Sequence, residues 1–298
     1  MSVRTTSLGE TLRHAVLILG ALVVILPFCV MVSYSFKSPR EIETNTGGFF
    51  GAQEQMVDEY CVKLGNPRDA CLETPVVYNY TQAFKKAPLL RYLLNGVIVT
   101  ATIFLLQVVI ALPCAYALSK LRFWGRDAVF AMVLFCLLIP VHAIALPIYI
   151  MLAKVGLTNT YAALVIPWII SVFGIFLMRQ FFMTVPDDLI DAARMDGMSE
   201  FSIIWKVMLP TAVPALLAFA IFSVVAHWND YFWPRVAITG DRSLYTPPLG
   251  LREFKGDADG SIWGPMMATA TVIVTPLIVA FLLAQRRFIE GITLTGMK

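Results

Sequence analysis

The sequence predicts an all-α integral membrane protein of six transmembrane helices, with an amphipathic helical element outside the bilayer between the fourth and fifth. Three observations carry that reading. Hydrophobic residues fill 58% of the 298 positions and charged residues only 14%, against roughly a quarter charged in soluble domains. Six stretches each approach the ~20 apolar residues needed to cross a hydrocarbon core. Between the fourth and fifth of them, Asp187 to Pro210 alternates polar and apolar residues at helical spacing.

Residues 1–14 are polar, with Arg4 and Arg13, and read as a cytosolic N-terminus. The apolar run 15–36 is too long for a signal-peptide core and has no small-residue cleavage site after it, so it reads as a retained first span. Residues 37–91 mix Gly, Pro and charge, which predicts a periplasmic loop without a core of its own. That loop ends in a short amphipathic helix starting with Asn79, Tyr80 and Phe84. Cys61 and Cys71 fall in this loop, ten residues apart in an oxidising compartment, where a disulfide and two free thiols are both open.

A five-helix core occupies 92–286, with spans at 92–118, 128–151, 161–182, 213–233 and 266–283, and a cytosolic tail follows at 287–298. Six spans put both termini on one side. The short loop 119–127 carries Lys120, Arg122 and Arg126, whereas 153–160 carries only Lys154, so the termini and the 184–210 segment are expected in the cytosol. The outer loop 235–263, with Arg242, Arg252, Lys255, Asp257 and Asp259 among four glycines, is suited to meeting a soluble partner.

Within 184–210, Thr184 and Asp187 have capping-box spacing. Ile190, Ala193 and Met195 lean to one side of a first helix, and Gly197 can reverse the backbone without a Cβ clash. Ser199 can cap a second helix whose Phe201, Ile204, Trp205 and Met208 share a face, and Pro210 ends it. Spacing alone leaves two readings open, a helix resting on lipid and a helix docking on a protein.

Other chemistry is missing. No Gly-Lys pair exists, so no phosphate-binding P-loop exists either. The three His and five Cys lack metal-ligand spacing, no GxSxG or HExxH occurs, and a net charge of +3 without a basic block gives nucleic acid no footing. The spans are almost free of the ionisable residues that ion-coupled carriers use, so a carrier working without an ATPase is the alternative reading, not the first. The exceptions at bends or span ends are Asn95, His142 and the cluster His227-Trp228-Asn229-Asp230, of which all but His227 are candidates to line a translocation path. The run from Trp228 to Pro234 reads either as an aromatic anchor at the interface or as the mouth of a translocation path, where sugar ring faces stack on aromatics while hydroxyls need partners. Pro140, Pro147, Pro167 and Gly174 mark the third and fourth spans for bends.

Asp191-Ala192-Ala193, Asp196-Gly197, Ile204 and Leu209-Pro210 together resemble the EAA loop of ABC-importer permeases, and FLMRQFFMTVPDDLIDAARMDG looks like their carbohydrate branch, the maltose-permease-like subunits. The resemblance runs from Asn79 onward and is densest from Pro140 to Pro234. Asp191 departs from it, standing where the family usually has Glu, one methylene longer. The resemblance implies the type I importer fold, with Asp191, Ala192, Ala193, Arg194, Asp196, Gly197, Ile204, Leu209 and Pro210 forming the ATPase-coupling surface. Ala192, Ala193 and Gly197 would be small so that the partner approaches closely, and Asp191 and Asp196 would fix register. It also implies the partners: a second permease subunit, two ATPase subunits that use ATP and Mg, and a periplasmic or lipid-anchored solute-binding protein. This chain would bind no cofactor or metal, would catalyse nothing itself, and would reside in a bacterial inner membrane. The solute class would be sugars, oligosaccharides, polyols or glycerol phosphates. The tail FIEGITLTGMK resembles the family's C-terminal end and would touch the ATPase.

Overall fold

The computed structural model describes residues 8–45, 48–51, 78–255 and 263–295, and all regular structure among these residues is helical. In chain order the α-helices are α1 (Leu8–Tyr34), α2 (Pro39–Thr44), α3 (Tyr78–Lys86), α4 (Leu89–Lys120), α5 (Arg126–Leu137), α6 (Val141–Lys154), α7 (Tyr161–Val165) and α8 (Val172–Phe182). They continue with α9 (Asp187–Met195), α10 (Glu200–Ile203), α11 (Leu209–Thr211), α12 (Val213–Trp228), α13 (Phe232–Ala237), α14 (Pro247–Gly250) and α15 (Trp263–Thr295). A 3-10 turn, Ile166–Trp168, extends α7, and a π-helical turn, Ile204–Met208, joins α10 to α11. The chain divides into two compact units, one of Met1–Leu89 with Leu251–Thr275, the other of Leu90–Gly250 with Pro276–Lys298.

Among the described residues three helices, α1, α4 and α15, are long and apolar enough to cross a membrane unaided. Of the other three expected spans, the third and fourth are bent. α5 and α6 meet at 99°, and α7 with its 3-10 turn meets α8 at 41°. Pro140 stands at the first break and Pro167 in the 3-10 turn just before the second, each lacking the amide that a continuing helix would use. Pro147 lies inside α6 and leaves it unbroken. The third bend, 85° between Glu200–Thr211 and Val213–Trp228, separates the amphipathic element from the fifth span. That span is α12 alone, 16 residues and so about 24 Å long, shorter than 213–233 because Asn229 caps it and a separate α13 begins.

In the first unit, Asn79 anchors α3: its Nδ2 donates to the carbonyls of Ser35 (2.9 Å) and Lys37 (3.0 Å), and Tyr80 Oη meets Ser35 Oγ at 2.8 Å. Gly264 leaves room for that amide, since a Cβ there would lie 2.6 Å from Asn79 Oδ1. α2 forms because Ser38 and Glu41 make a complete capping box with Pro39 in the first turn. The Cys61–Cys71 pair lies outside the described residues.

In the second unit, α8 and α12 touch through Gly174, where a Cβ would come 2.3 Å from Phe219 Cζ. Phe219 packs with Ala111, Leu118 and Ile175 into one cluster. A second cluster gathers Val99, Ile103, Ala145, Leu164, Trp233 and Ala237. Trp233 Nε1 there donates to Ala163 O at 2.9 Å, capturing a carbonyl of the broken fourth span.

Candidate functional site, the bent element from Asp187 to Thr211

The bend at Gly197 is built as the residues dictate. Gly197 has φ +77°, the left-handed region that a Cβ penalises. Ser199 Oγ accepts from Ser202 N at 3.3 Å and caps α10. The start of the element differs from the capping box expected of Thr184 and Asp187. Thr184 Oγ1 donates to Phe181 O at 2.7 Å, and Pro186 occupies the cap position without a side-chain bond. Asp187 is taken by a stronger partner from α4: Lys120 Nζ lies 2.6 Å from Asp187 Oδ1 and also donates to Val185 O.

The inner face is a continuous apolar cluster. Leu112, Ala115 and Tyr116 of α4 meet Met178 and Phe182 of α8, and both sets meet Val185, Ile190, Ala193, Ile203, Ile204, Met208 and Ala212. Ala193 is therefore small because it packs inward on this cluster, whereas Ala192 is exposed. Met195 and Phe201 depart from the faces expected of them: they are 87% and 65% exposed, turned outward beside Asp188, Leu189 and Asp196. Leu209 is half-buried and Pro210 exposed at the junction with α12.

Arg194 ties the two arms across the glycine. Its Nε and Nη2 donate to Glu200 Oε1 (2.8 Å) and Oε2 (3.3 Å), while Nη1 donates to Asp191 Oδ1 (2.9 Å). Tyr116 of α4 donates its hydroxyl to the same Glu200 Oε2 at 2.5 Å. Arg194 first, and Tyr116 second, hold the Glu200 carboxyl below the usual glutamate range, and Lys120 does the same for Asp187. A carboxylate depressed in the folded state contributes its stability above the unfolded value, and that stability disappears as pH falls through the folded value. Amide exchange of residues 196–203 is therefore expected to stay slow down to pH of about 4.3, the free glutamate value, and to accelerate only below it. Full exposure already at pH of about 5 would show that the fork does not order the bend.

The residues expected to line a translocation path serve several local structures. Asn95 is 1% exposed; its Nδ2 donates to Ser243 O (2.8 Å) and Tyr245 O (2.9 Å), and its Oδ1 accepts from Tyr161 Oη (2.6 Å). Trp228 is buried over Gly96, where a Cβ would lie 3.2 Å from its ring. Asn229 is exposed and donates back to Val225 O, and Asp230 Oδ1 accepts from Trp233 N at 3.1 Å, starting α13. His142 is exposed, its ring 4.5 Å from that of Phe232.

One polar group escapes a reading by sequence pattern. Gln107 of α4, 3% exposed, donates to Trp168 O (2.8 Å), accepts from Ser223 Oγ (2.6 Å) and lies 3.2 Å from His227 Nε2. It satisfies a carbonyl released by the break in the fourth span. An amide side chain in the middle of a 32-residue apolar helix is the signal that could have found it.

Residues 107–293 match the family described as binding-protein-dependent transport system inner membrane component. The arabinooligosaccharides transport system permease protein of Halalkalibacterium halodurans is 34% identical over 204 residues, 68% of this chain and 72% of that protein. The sn-glycerol-3-phosphate transport system permease protein of Brucella abortus is 30% identical over 289 residues, covering 96% and 97%. Among solved structures, a chain of a bacterial ABC transporter that imports the acidic polysaccharide alginate superposes with a TM-score of 0.75. Its identity is 22%, covering 97% of this chain and 99% of that one.

Proposed function

The chain belongs to the family of binding-protein-dependent transport system inner membrane components, and from that membership we propose that it carries a carbohydrate, or a related polyol or glycerol phosphate, through an ATP-driven importer. It is a transport subunit, and ATP hydrolysis belongs to a separate polypeptide, in keeping with the missing P-loop. Two ATPase subunits using ATP and Mg, a second permease and a solute-binding protein complete the machine in a bacterial inner membrane. The termini and the bent element lie on the cytosolic side, as the basic residues of loop 119–127 favour. The solute class is supported by the two relatives, whose names specify an arabinooligosaccharide and a glycerol phosphate.

One observation carries the docking role of Asp187–Thr211. Its inner residues are buried, yet Asp188, Leu189, Ala192, Met195, Asp196 and Phe201 stand exposed together. A helix resting on lipid carries a basic polar face that anionic headgroups attract. This face is acidic, so a protein cleft suits it better. Asp191 and Asp196 fix register there, Ala192 admits close approach, and Gly197, Ile204, Leu209 and Pro210 hold the shape. Along the path, exposed His142 with Phe232, and Asn229, meet the solute, while Asn95, Trp228 and Asp230 hold the walls.

The test is co-purification of the tagged chain with an ATPase expressed from neighbouring genes, wild type beside Ala192→Trp. Ala192 is exposed, so tryptophan there leaves the chain folded and obstructs the cleft. Wild type is expected to bring down the ATPase and the variant to lose it. Equal recovery with both would remove the docking role from this face. A wild-type chain that purified alone and took up sn-glycerol 3-phosphate on an ion gradient would overturn the functional reading.

A further inference from the structure

We infer that the second span moves as one body with the bent element, held by a two-point clamp in which Tyr116 and Lys120 are positioning residues. The inference rests on the coupling role proposed above and adds the span through which the movement travels. Covalent continuity joins the element only to α8 and α12. The side chains join it to α4 as well.

Tyr116 and Lys120 are four residues apart, so they project from one face of the last turns of α4. Each grips a different end of the element. Lys120 Nζ holds the start of α9 through Asp187 Oδ1 and Val185 O, and its side chain is 6% exposed, so the ammonium is desolvated around these bonds. Tyr116, 1% exposed, reaches past the glycine bend to Glu200 at the start of α10. Glu200 is the carboxylate that Arg194 forks, so the hydroxyl fixes the bend itself as well as one arm of it. Between the two points Leu112, Ala115 and Tyr116 share a closed apolar cluster with Ile190, Ala193, Ile203 and Ile204. A third tie lies alongside: Arg179 Nε of α8 donates to Leu118 O at 3.1 Å, joining the two spans at the same level. Close-packed groups of this kind shift as units and do not shear residue by residue.

The experiment uses the complete complex with its ATPases. Spin labels go on Lys206→Cys, exposed in the π turn of the element and outside its docking face, and on Trp124→Cys, fully exposed just beyond α4. Their separation is measured without nucleotide and with ATP plus vanadate. In the otherwise wild-type complex the distribution is expected to stay narrow and unchanged while the ATPases close. Tyr116→Phe combined with Lys120→Met removes three hydrogen bonds that involve a charged group, each worth about tenfold in an equilibrium, and leaves the apolar cluster in place. The distribution is then expected to broaden and to shift on nucleotide binding, and ATP hydrolysis without binding protein is expected to rise about tenfold. Lys120→Arg, which keeps the charge, is expected to restore most of the narrow distribution.

A wild-type separation that changes with nucleotide would overturn the inference, because α4 would then not travel with the element. So would a double variant indistinguishable from wild type. A double variant that fails to assemble overturns it too, since the residues would be determinants of folding and not of transmission. A wild-type complex whose ATPases hydrolyse ATP without any response to binding protein would instead overturn the coupling role itself.

Discussion

Replacing Asn95 with leucine is expected to cost about 3–5 kcal/mol of stability and to release the segment around Ser243 and Tyr245. The side chains are close in volume, so the loss is one of hydrogen bonding. In the native chain one buried amide uses both its donors and an acceptor: the carbonyls of Ser243 and Tyr245 at 2.8 and 2.9 Å, and the Tyr161 hydroxyl at 2.6 Å. Leucine leaves those partners without it in a 1% exposed environment. Arg91 Nε, also bound to Ser243 O at 3.0 Å, retains one tie, so release is local before it is global. The check is limited trypsin digestion at Arg242 together with the thermal midpoint in detergent. A midpoint unchanged to within about two degrees, with no faster cleavage, would show that the amide is dispensable.

Gly197→Val is expected to abolish most of the stimulation of ATP hydrolysis by binding protein while the chain still inserts and assembles in part. No atom lies within 4 Å of a Cβ built at Gly197, so the cost arises in the backbone alone. A β-branched residue at φ +77° is strained by about 1–3 kcal/mol. The chain relieves that strain by opening the bend, which pulls Arg194 from Glu200. Because strain and not volume sets the cost, a series is expected to rank Asn best, Ala intermediate and Val worst. If asparagine proved as damaging as valine, side-chain presence at the docking face, not backbone angle, would be the cause.

These two sites differ in how far they can be seen from sequence. The bend is legible because its signals are local: a glycine at a helix end and a serine two residues later suffice. The start of the same element misleads, since Thr184 and Asp187 have capping spacing but Lys120, distant in the chain, binds Asp187 more strongly than a backbone amide does. Periodicity puts Met195 and Phe201 inward, because it cannot distinguish a core-facing apolar residue from an exposed one. Asn95 stands out as a polar residue in an apolar span, yet its partners, at Tyr161, Ser243 and Tyr245, are distant in the chain and no periodicity predicts them. The helix Pro39–Thr44 carries its own signal, Ser38 and Glu41 at capping-box spacing around Pro39, although the composition around it reads as loop. Membership of the importer family is written in the 187–210 pattern, and the wider chain bears it out.

The π turn at Ile204–Met208 has a consequence for heredity. A π turn holds one more residue than the α turn it replaces. Losing a single codon there would close it to an α turn and leave the arms on either side near their present phase. A codon lost from α12 would instead rotate α9 and α10 by about 100° against the rest of the fifth span, carrying Asp188, Met195 and Phe201 off the face they now occupy. Lineages descended from this gene should therefore tolerate a change of length within Ile204–Met208 far better than one in the span that follows.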